Sequence, residues 1–241
     1  RNRATRFPML IRTSLLSCLL AASAFAQNSS LADLALEPPL INTNPGPEYD
    51  AEKRPGNMII GIDRTPKGRL WAAWVGNGDS PNGFFMLATS DDGGATWSKP
   101  RVVIDPTDPP GQPQRRALVG NLWTDPLGRL WLFFDQSLGY FDGRGGDWFI
   151  RCDNPDADQP AWSEPRRIWH GVTPNKPTVL STGEWLLPIS LDQRPGFRQF
   201  QGCFRELDPL RGANVFVSAD KGRTWSRRGC VQFPDPDWHE H

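Results

Sequence analysis

Tyrosine is nearly missing from this chain of 241 residues, with 2 residues, Tyr49 and Tyr140, against 11 tryptophans. That imbalance points to an apolar plate placed regularly along the chain rather than to a general aromatic core. Cysteine is scarce as well, at 4. Once Cys18 is set aside in a leader segment, Cys152, Cys203 and Cys230 remain, an odd number that excludes a fully paired disulfide scaffold. Either Cys203 and Cys230 bridge, or the thiols are buried and free. The 3 histidines are His170, His239 and His241, and His-Glu-x-x-His does not occur. Asp153 to Asp158 and Asp235 to Asp237 lack the alternation of a calcium-binding loop, so they read as solvated turns and no metal is expected. Gly-x-Ser-x-Gly, a P-loop and a dinucleotide fingerprint are all missing, which removes the corresponding hydrolase, nucleotide and cofactor chemistry, and no cofactor is expected. Charge of one sign is missing too: 27 basic residues balance 27 acidic ones. Without Arg1, Arg3, Arg6 and Arg12 the balance turns slightly acidic, so no nucleic-acid partner is indicated.

Long apolar runs are also lacking. Leu15 to Ala22 falls well short of the ~20 residues of a membrane span. With basic residues before it and Ala24-Phe25-Ala26 after it, the run reads as a secretory signal over residues 1–26, with Met9 as the start of translation. A short anchor or a lipoprotein through Cys18 are the other readings of the segment. Export then places the chain outside the cell or in the periplasm. Residues 27–50, polar and Pro-rich, read as a leader strand or linker.

What the chain has in quantity is glycine (23) and proline (24), the punctuation of many short strands. It also has an internal repeat. Ser90-Asp91-Asp92-Gly93-Gly94-Ala95-Thr96-Trp97 returns as Ser218-Ala219-Asp220-Lys221-Gly222-Arg223-Thr224-Trp225. The chemistry is that of a tight turn. Asp92 and Asp220 accept from backbone N–H groups, Gly94 and Gly222 take positive φ, and Thr96 and Thr224 tie the turn across. Trp97 and Trp225 then supply apolar plates. A degenerate copy over Asp153 to Pro165 keeps only the Trp162-Ser163-Glu164-Pro165 exit of Trp97-Ser98-Lys99-Pro100, and Gly68-Arg69-Leu70-Trp71 recurs as Gly128-Arg129-Leu130-Trp131. Around each box stand four apolar runs separated by turns, which predicts a four-stranded antiparallel meander three times over.

These boxes resemble the Asp-box, or BNR repeat, of the sialidase superfamily. The resemblance implies an all-β fold, a β-propeller of four-stranded antiparallel blades, six in the family. About three would be present over 51–105, 106–170 and 171–234, with the start of a fourth over 235–241, so the chain reads as the N-terminal part of a longer propeller. In a meander the boxes lie on one face, and the loops after second strands and the crossings between blades lie on the other. The family's active site is on the second face, which removes Ser90, Asp92, Gly94, Thr96, Trp97, Ser218, Asp220, Gly222, Thr224 and Trp225 from catalysis and gives them a structural role.

Arginine is abundant in the loops of that second face, where bidentate recognition of a carboxylate fits an acidic glycan as partner. The family's Arg-Ile-Pro motif is similar to Arg54-Pro55, though the Ile is missing, and implies that Arg54 holds a substrate carboxylate. The family's general acid/base, an Asp after the second strand, corresponds to Asp79 in Gly76-Asn77-Gly78-Asp79-Ser80. A shielded carboxyl there would keep the proton it delivers; the alternative is a turn aspartate beside glycines. Arg115, Arg116, Asn121, Lys176, Arg194 and His241 are the further substrate-binding candidates, with Asn121 and Lys176 at equal distances before Gly128 and Gly183 and so at the entry of innermost strands. The family's tyrosine nucleophile has no counterpart in Tyr49 or Tyr140, which come too early in the chain. Segments such as RPGNMIIG, DGRGGDW and NKPTVLSTGEWLLPIS resemble a secreted bacterial subgroup of sialidase-like propellers. Some of its relatives act on other polysaccharides as rhamnosidases or lyases, and a non-catalytic glycan- or protein-binding propeller is the alternative of another class.

Overall fold

In the computed structural model the residues described are 36–107, 115–138, 145–191 and 205–231. The signal segment 1–26, residues 27–35 of the leader, Arg194, His241, Cys203 and the expected opening of a fourth blade at 235–241 lie outside them.

The first sheet contains β1 (Ile41–Asn42), β2 (Asn57–Arg64), β3 (Leu70–Gly76), β4 (Phe84–Ser90) and β5 (Val102–Ile104) in the order β1-β5-β4-β3-β2. The second contains β6 (Gly120–Thr124), β7 (Leu130–Gln136), β8 (Gly146–Cys152) and β9 (Arg166–Trp169), and the third β10 (Thr178–Val179), β11 (Trp185–Leu191), β12 (Gly212–Ser218) and β13 (Ser226–Val231), each in sequence order. All neighbours are antiparallel.

The expectation of a propeller of uniformly four-stranded blades in a six-membered ring is thereby corrected. Among the described residues there are three separate, open sheets of five, four and four strands, with no ladder closing one onto another. The count of five has a simple cause. The outer edge of β5 would expose unpaired backbone groups, and Ile41 and Asn42 of the leader pair with Ile104 and Val103 to cover it.

Between the sheets the contact is side chain on side chain. Trp71, Val75, Phe85, Leu87 and Ile104 of the first sheet share one buried cluster with Leu122, Leu130, Leu132, Phe134 and Ile150 of the second. Trp123, Trp131, Phe133 and Phe149 of the second share another with Trp185, Leu187, Ile189 and Phe216 of the third. The alternation of β11 and β12, buried at Trp185, Leu187, Ile189, Asn214 and Phe216, decides which face of the third sheet turns inward.

Both intact boxes form the same cage. Ser90 Oγ donates to Asp92 Oδ1 at 2.7 Å and accepts from Gly94 N at 2.8 Å, while Thr96 donates to Asp92 through its N (2.9 Å) and its Oγ1 (2.6 Å). The second copy repeats this at 2.9, 2.8, 2.9 and 2.6 Å among Ser218, Asp220, Gly222 and Thr224. Hydrogen bonds from Thr96 and from Thr224 hold the Asp92 and Asp220 carboxyls down to about 2. The two plates differ, however: Trp225 packs edge-on against Phe133, whereas Trp97 is 39% exposed.

The box turns also receive the preceding sheet. Arg69 donates to Ala157 O at 2.6 Å and Trp71 Nε1 to Pro155 O at 3.1 Å, so the degenerate box of the second sheet is pinned to the first. Asp156 in that turn accepts from Lys67 N at 3.2 Å and from Thr65 Oγ1, so it is a docking group and not merely solvated. Arg129, at the matching place in the second sheet, donates to Lys221 O at 2.9 Å in the box of the third. The third sheet has Glu184 in this register, and it pairs within its own sheet with Arg228 at 2.5 Å. Cys152 and Cys230 are free thiols, and the bridge weighed between Cys203 and Cys230 involves a residue outside the described ones.

Candidate functional site

The ends of the sheets opposite the boxes carry the connections β3–β4 and β7–β8 and the crossings between sheets. The turn after β3 bends through Asn77 (φ 66°) and Gly78 (φ 63°), and Asn77 Nδ2 closes it onto Asn82 O at 3.1 Å. Asp79 sits at its tip. The crossing from the first sheet to the second runs beside it: Ala117 N donates to Gly83 O at 3.0 Å, and Arg116 exchanges backbone bonds with Ser137 at 2.9 and 3.0 Å. This places the Arg116 guanidinium under the β3–β4 turn. Its Nη1 is 3.5 Å from Asp79 Oδ1 and from Ser80 O.

The pair is lopsided. Arg116 is 6% exposed, but the side chain of Asp79 is 74% exposed. The carboxyl expected to be shielded is therefore on the surface, and the arginine is the buried member. Arg115, half-buried, directly precedes it.

Arg54 is on the other side of β3. Its Nε donates to Tyr49 O at 2.9 Å, its Nη1 donates to Asn57, and its guanidinium lies 5.7 Å from the centre of the Trp74 ring. Trp74 belongs to the face of the first sheet turned away from the second, together with Phe84, Met86 and Val103. Burial lowers the Arg54 pKa against the pull of Asp50 and Glu52. It borders an open groove of about 420 Å³ with Asn57, Ile62, Ala72, Trp74 and Trp97.

Asn121 and Lys176 are brought together along a groove of about 710 Å³ that also touches Asn175, Thr178, Leu186 and Pro188. Asn121 Nδ2 donates to Thr173 O at 3.2 Å, tying β6 to the crossing before β10. Lys176 Nζ is 3.4 Å from Asp63 Oδ2 and 3.5 Å from Ile62 O, so it links the third sheet to the innermost strand of the first. Asp63 also accepts from Thr124 N at 2.6 Å. The sequence candidates thus fall in three places: Asp79 with Arg115 and Arg116, Asn121 with Lys176, and Arg54 alone.

A fourth group was not singled out by sequence reasoning. Asp135 and Asp147 are cross-strand partners on β7 and β8, both fully buried. Asp135 accepts from Leu118 N (2.6 Å), Val119 N (2.7 Å) and Ser137 Oγ (3.3 Å). Desolvation by burial nevertheless pushes its carboxyl up to about 6. Asp147 is also pushed well above the ordinary carboxyl range, first by burial and then by the charge of Asp135, against the opposing pull of Arg167. Arg167 Nη2 donates to Gly145 O at 2.7 Å and lies 2.9 Å from His170 Nδ1. Burial brings the Arg167 guanidinium down to about 10. The signal was present in the sequence: an acid ends one apolar run, LWLFFD, and another opens the next, DWFI, on either side of the same loop.

Among the described residues no cluster of three His, Cys, Asp or Glu side chains could hold a metal, and no helix is long and apolar enough to cross a membrane.

A family model described as the BNR repeat-like domain matches residues 68–239. Among solved structures the chain is similar to the Hadza microbial sialidase Hz136, with TM-score 0.54 and 18% identity over 75% of this chain and 38% of that one. At this identity the likeness concerns the fold alone, and the chain spans less than two-fifths of that sialidase. A sialidase of Trypanosoma rangeli in complex with the inhibitor DANA also aligns, with TM-score 0.44 and 15% identity over 71% of this chain and 30% of that one. No curated protein matches the chain significantly.

Proposed function

Since the chain belongs to the BNR repeat-like family, we propose that it is a glycosidase, secreted or periplasmic, that hydrolyses terminal acidic sugars from glycans. The observation that carries this reading is the buried Arg116 guanidinium set beneath Asp79, 3.5 Å away, at the loop ends opposite the boxes. A guanidinium held by the fold loses little freedom when it takes a carboxylate in a bidentate grip. Asp79, at the tip of the adjoining turn, is placed to give its proton to the departing glycosidic oxygen as the bond to the anomeric carbon breaks. Water supplies the new bond and surrenders a proton in return. Arg115 directly precedes Arg116 in the chain, whereas Asn121 with Lys176 and Arg54 stand in two other places. The similarity to Hz136, named a sialidase, supports the choice of an acidic sugar.

One feature favours a second reading, a module of open sheets that binds glycan without turning it over. Asp79 is largely exposed and already paired with Arg116, which suits an anchor that only binds as well as an acid. Turnover of a fluorogenic α-sialoside, with Asp79→Asn beside the natural protein, separates the two. Loss of ~100-fold or more in kcat on removing the acid is expected for the hydrolase. Unchanged turnover refutes the role of Asp79. Binding of acidic glycan with no turnover by the natural protein transfers the assignment to the binding reading, and an unsaturated, ultraviolet-absorbing product transfers it to a lyase.

A further inference from the structure

The degenerate box of the second sheet differs from its two intact relatives in what its polar groups do. Ser163 stands where Ser98 stands in the first box: Ser98 Oγ accepts from Thr89 N and Ser163 Oγ from Arg151 N, both at 3.0 Å. Cys152 therefore takes the place of the box serine Ser90, and the cage of Ser, Asp and Thr is not built. In the intact boxes that cage uses up the polar side chains of the turn. In the degenerate one Asp153 pairs with Arg151 at 2.6 Å and Asp156 is bonded to the first sheet, so what is left over is neutral. Asn154 and Gln159 are exposed, and among the described residues their side-chain amides make no hydrogen bond. The same holds for Asn44, across the seam in the segment that follows β1.

These amides border two adjoining hollows. One, of about 200 Å³, is lined by Asn44, Arg101, Gln159 and Trp162 among others. The second, of about 460 Å³, is lined by Arg151, Asp153, Asn154, Gln159 and Trp162. Gln159 and Trp162 belong to both, so the indole stands between them. Trp162 packs edge-on against Trp71 with ring centres 5.5 Å apart, and its Nε1 has no partner among the described residues. Unlike the grooves beside Trp97 and Lys176, these hollows lie at a seam that is already closed. Arg69 and Trp71 donate into this turn, and Trp162 packs on the cluster shared by the first two sheets. Their openness is thus not that of a bare sheet face. Charge is settled as well: Arg101 donates to Asp158 O and lies 5.8 Å from the centre of the Trp71 ring, and Arg151 has Asp153. An anion meets no uncommitted cation among the lining residues. Amides, which both donate and accept, match hydroxyl groups, and an indole matches an apolar ring face.

We propose that the degenerate box is a binding site for a neutral pyranose, with Trp162 as the plate between its two halves and Asn44, Asn154 and Gln159 as partners of the sugar hydroxyls. It lies at the end of the sheets opposite Asp79. No bond is made or broken in it, and it does not rest on the hydrolysis proposed above. A site of this size that takes one sugar ring binds it with a dissociation constant of ~1–10 mM.

Indole N–H resonances of tryptophan-labelled protein report on it directly. The probes are methyl β-D-galactopyranoside, methyl α-D-glucopyranoside and N-acetylglucosamine, with N-acetylneuraminic acid as the charged control. Trp162→Phe keeps an aromatic ring on Trp71 and identifies the Trp162 signal by its absence. That signal should move saturably with at least one neutral sugar, and with equal affinity in Asp79→Asn. The exposed double variant Asn154→Ala with Gln159→Ala should bind the same sugar ~5-fold or more weakly. A Trp162 signal that stays still with all three neutral sugars overturns the site, as does equal affinity in the double variant. Movement with N-acetylneuraminic acid as strong as with the neutral sugars overturns the ligand class. Should Trp162→Phe not fold, the double variant alone decides. Loss of α-sialoside turnover in Asp79→Asn with sugar binding at Trp162 intact separates this site from the catalytic one, and failure of either leaves the other standing.

Discussion

Two glycines with nearly the same backbone and different surroundings allow the cost of a box turn to be dissected. Gly222, in the second box, has φ +83°, and a Cβ built there would lie 2.6 Å from Trp131 Cη2 and 3.0 Å from Trp185 Cζ3. Gly183, in the β10–β11 turn, has φ +84° and nothing within 4 Å of the same atom. Replacing either by alanine forces an L side chain into the left-handed region, at ~1–2 kcal/mol, partly offset by ~0.4–1 kcal/mol from a less flexible unfolded chain. The net for Gly183→Ala is about 1 kcal/mol or less. Gly222→Ala adds overpacking against two indoles at the seam of the second and third sheets. Trp131 is fully buried and cannot swing away, so a further ~1–3 kcal/mol is expected, for a total of ~1–4 kcal/mol. Urea unfolding followed by tryptophan fluorescence measures both, with the slope checked for constancy. Equal losses in the two variants would refute this reasoning, because the contact with Trp131, and not the backbone angle, is what distinguishes them.

Other outcomes follow from the same seams. Trp225→Ala should cost ~2–3 kcal/mol in thermal or urea unfolding, because it leaves a hole beside Phe133, whereas Trp97→Ala at its half-open position should cost under about 1 kcal/mol. Arg129→Ala removes the 2.9 Å link to Lys221 O and leaves the buried Asp125 without its 2.6 Å partner; a loss of ~2–3 kcal/mol is expected, and a loss below about 0.5 kcal/mol contradicts the clamp. The Asp220 carboxyl, held down to about 2, stabilises the fold above the unfolded value near 4, and this contribution fades as pH falls through about 2. Acid titration of Asp220→Asn should accordingly show a shallower decline below pH 4 than the natural chain.

How much of this was legible before the fold was known depends on the range of the interaction. The boxes were readable because each closes on itself within a few residues: Ser90 to Asp92, Asp92 to Thr96, and again Ser218 to Asp220 to Thr224. The strands were readable because a short apolar run between turn residues is local as well. The fifth strand of the first sheet was only half legible, since Ile41–Asn42 becomes a strand by covering the edge of β5, more than sixty positions on. Closure of the ring could not be read from a repeat at all, because a repeat specifies each sheet and its neighbour but not the last contact. In the site, Asp79 and Arg116 were both named, but their inverted burial depends on Ala117 meeting Gly83 and Ser137 meeting Arg116 across two sheets. Asp135 and Asp147 escaped because an acid at a strand end looks like the beginning of a solvated loop, and only register shows that each is the other's partner.

The two ends of the sheets treat charge in opposite ways. At the box end every carboxylate that matters is over-supplied with donors. Asp92 and Asp220 take bonds from Ser and Thr, and Asp125 takes Leu127 N, Arg129 N, Arg129 Nε and Trp131 Nε1 at 2.6 to 3.0 Å. Each of these groups closes its own turn with donors from within a few residues. At the other end Asp147 is buried with no donor among the described residues, Arg167 is depressed by burial to about 10, and Arg116 is buried beside a largely exposed acid. An apolar residue at 147 would be cheaper to bury than an acid whose oxygens are unmatched, by several kcal/mol on transfer scales. A fold that satisfies its acids so completely at one end has no structural need to leave one unsatisfied at the other.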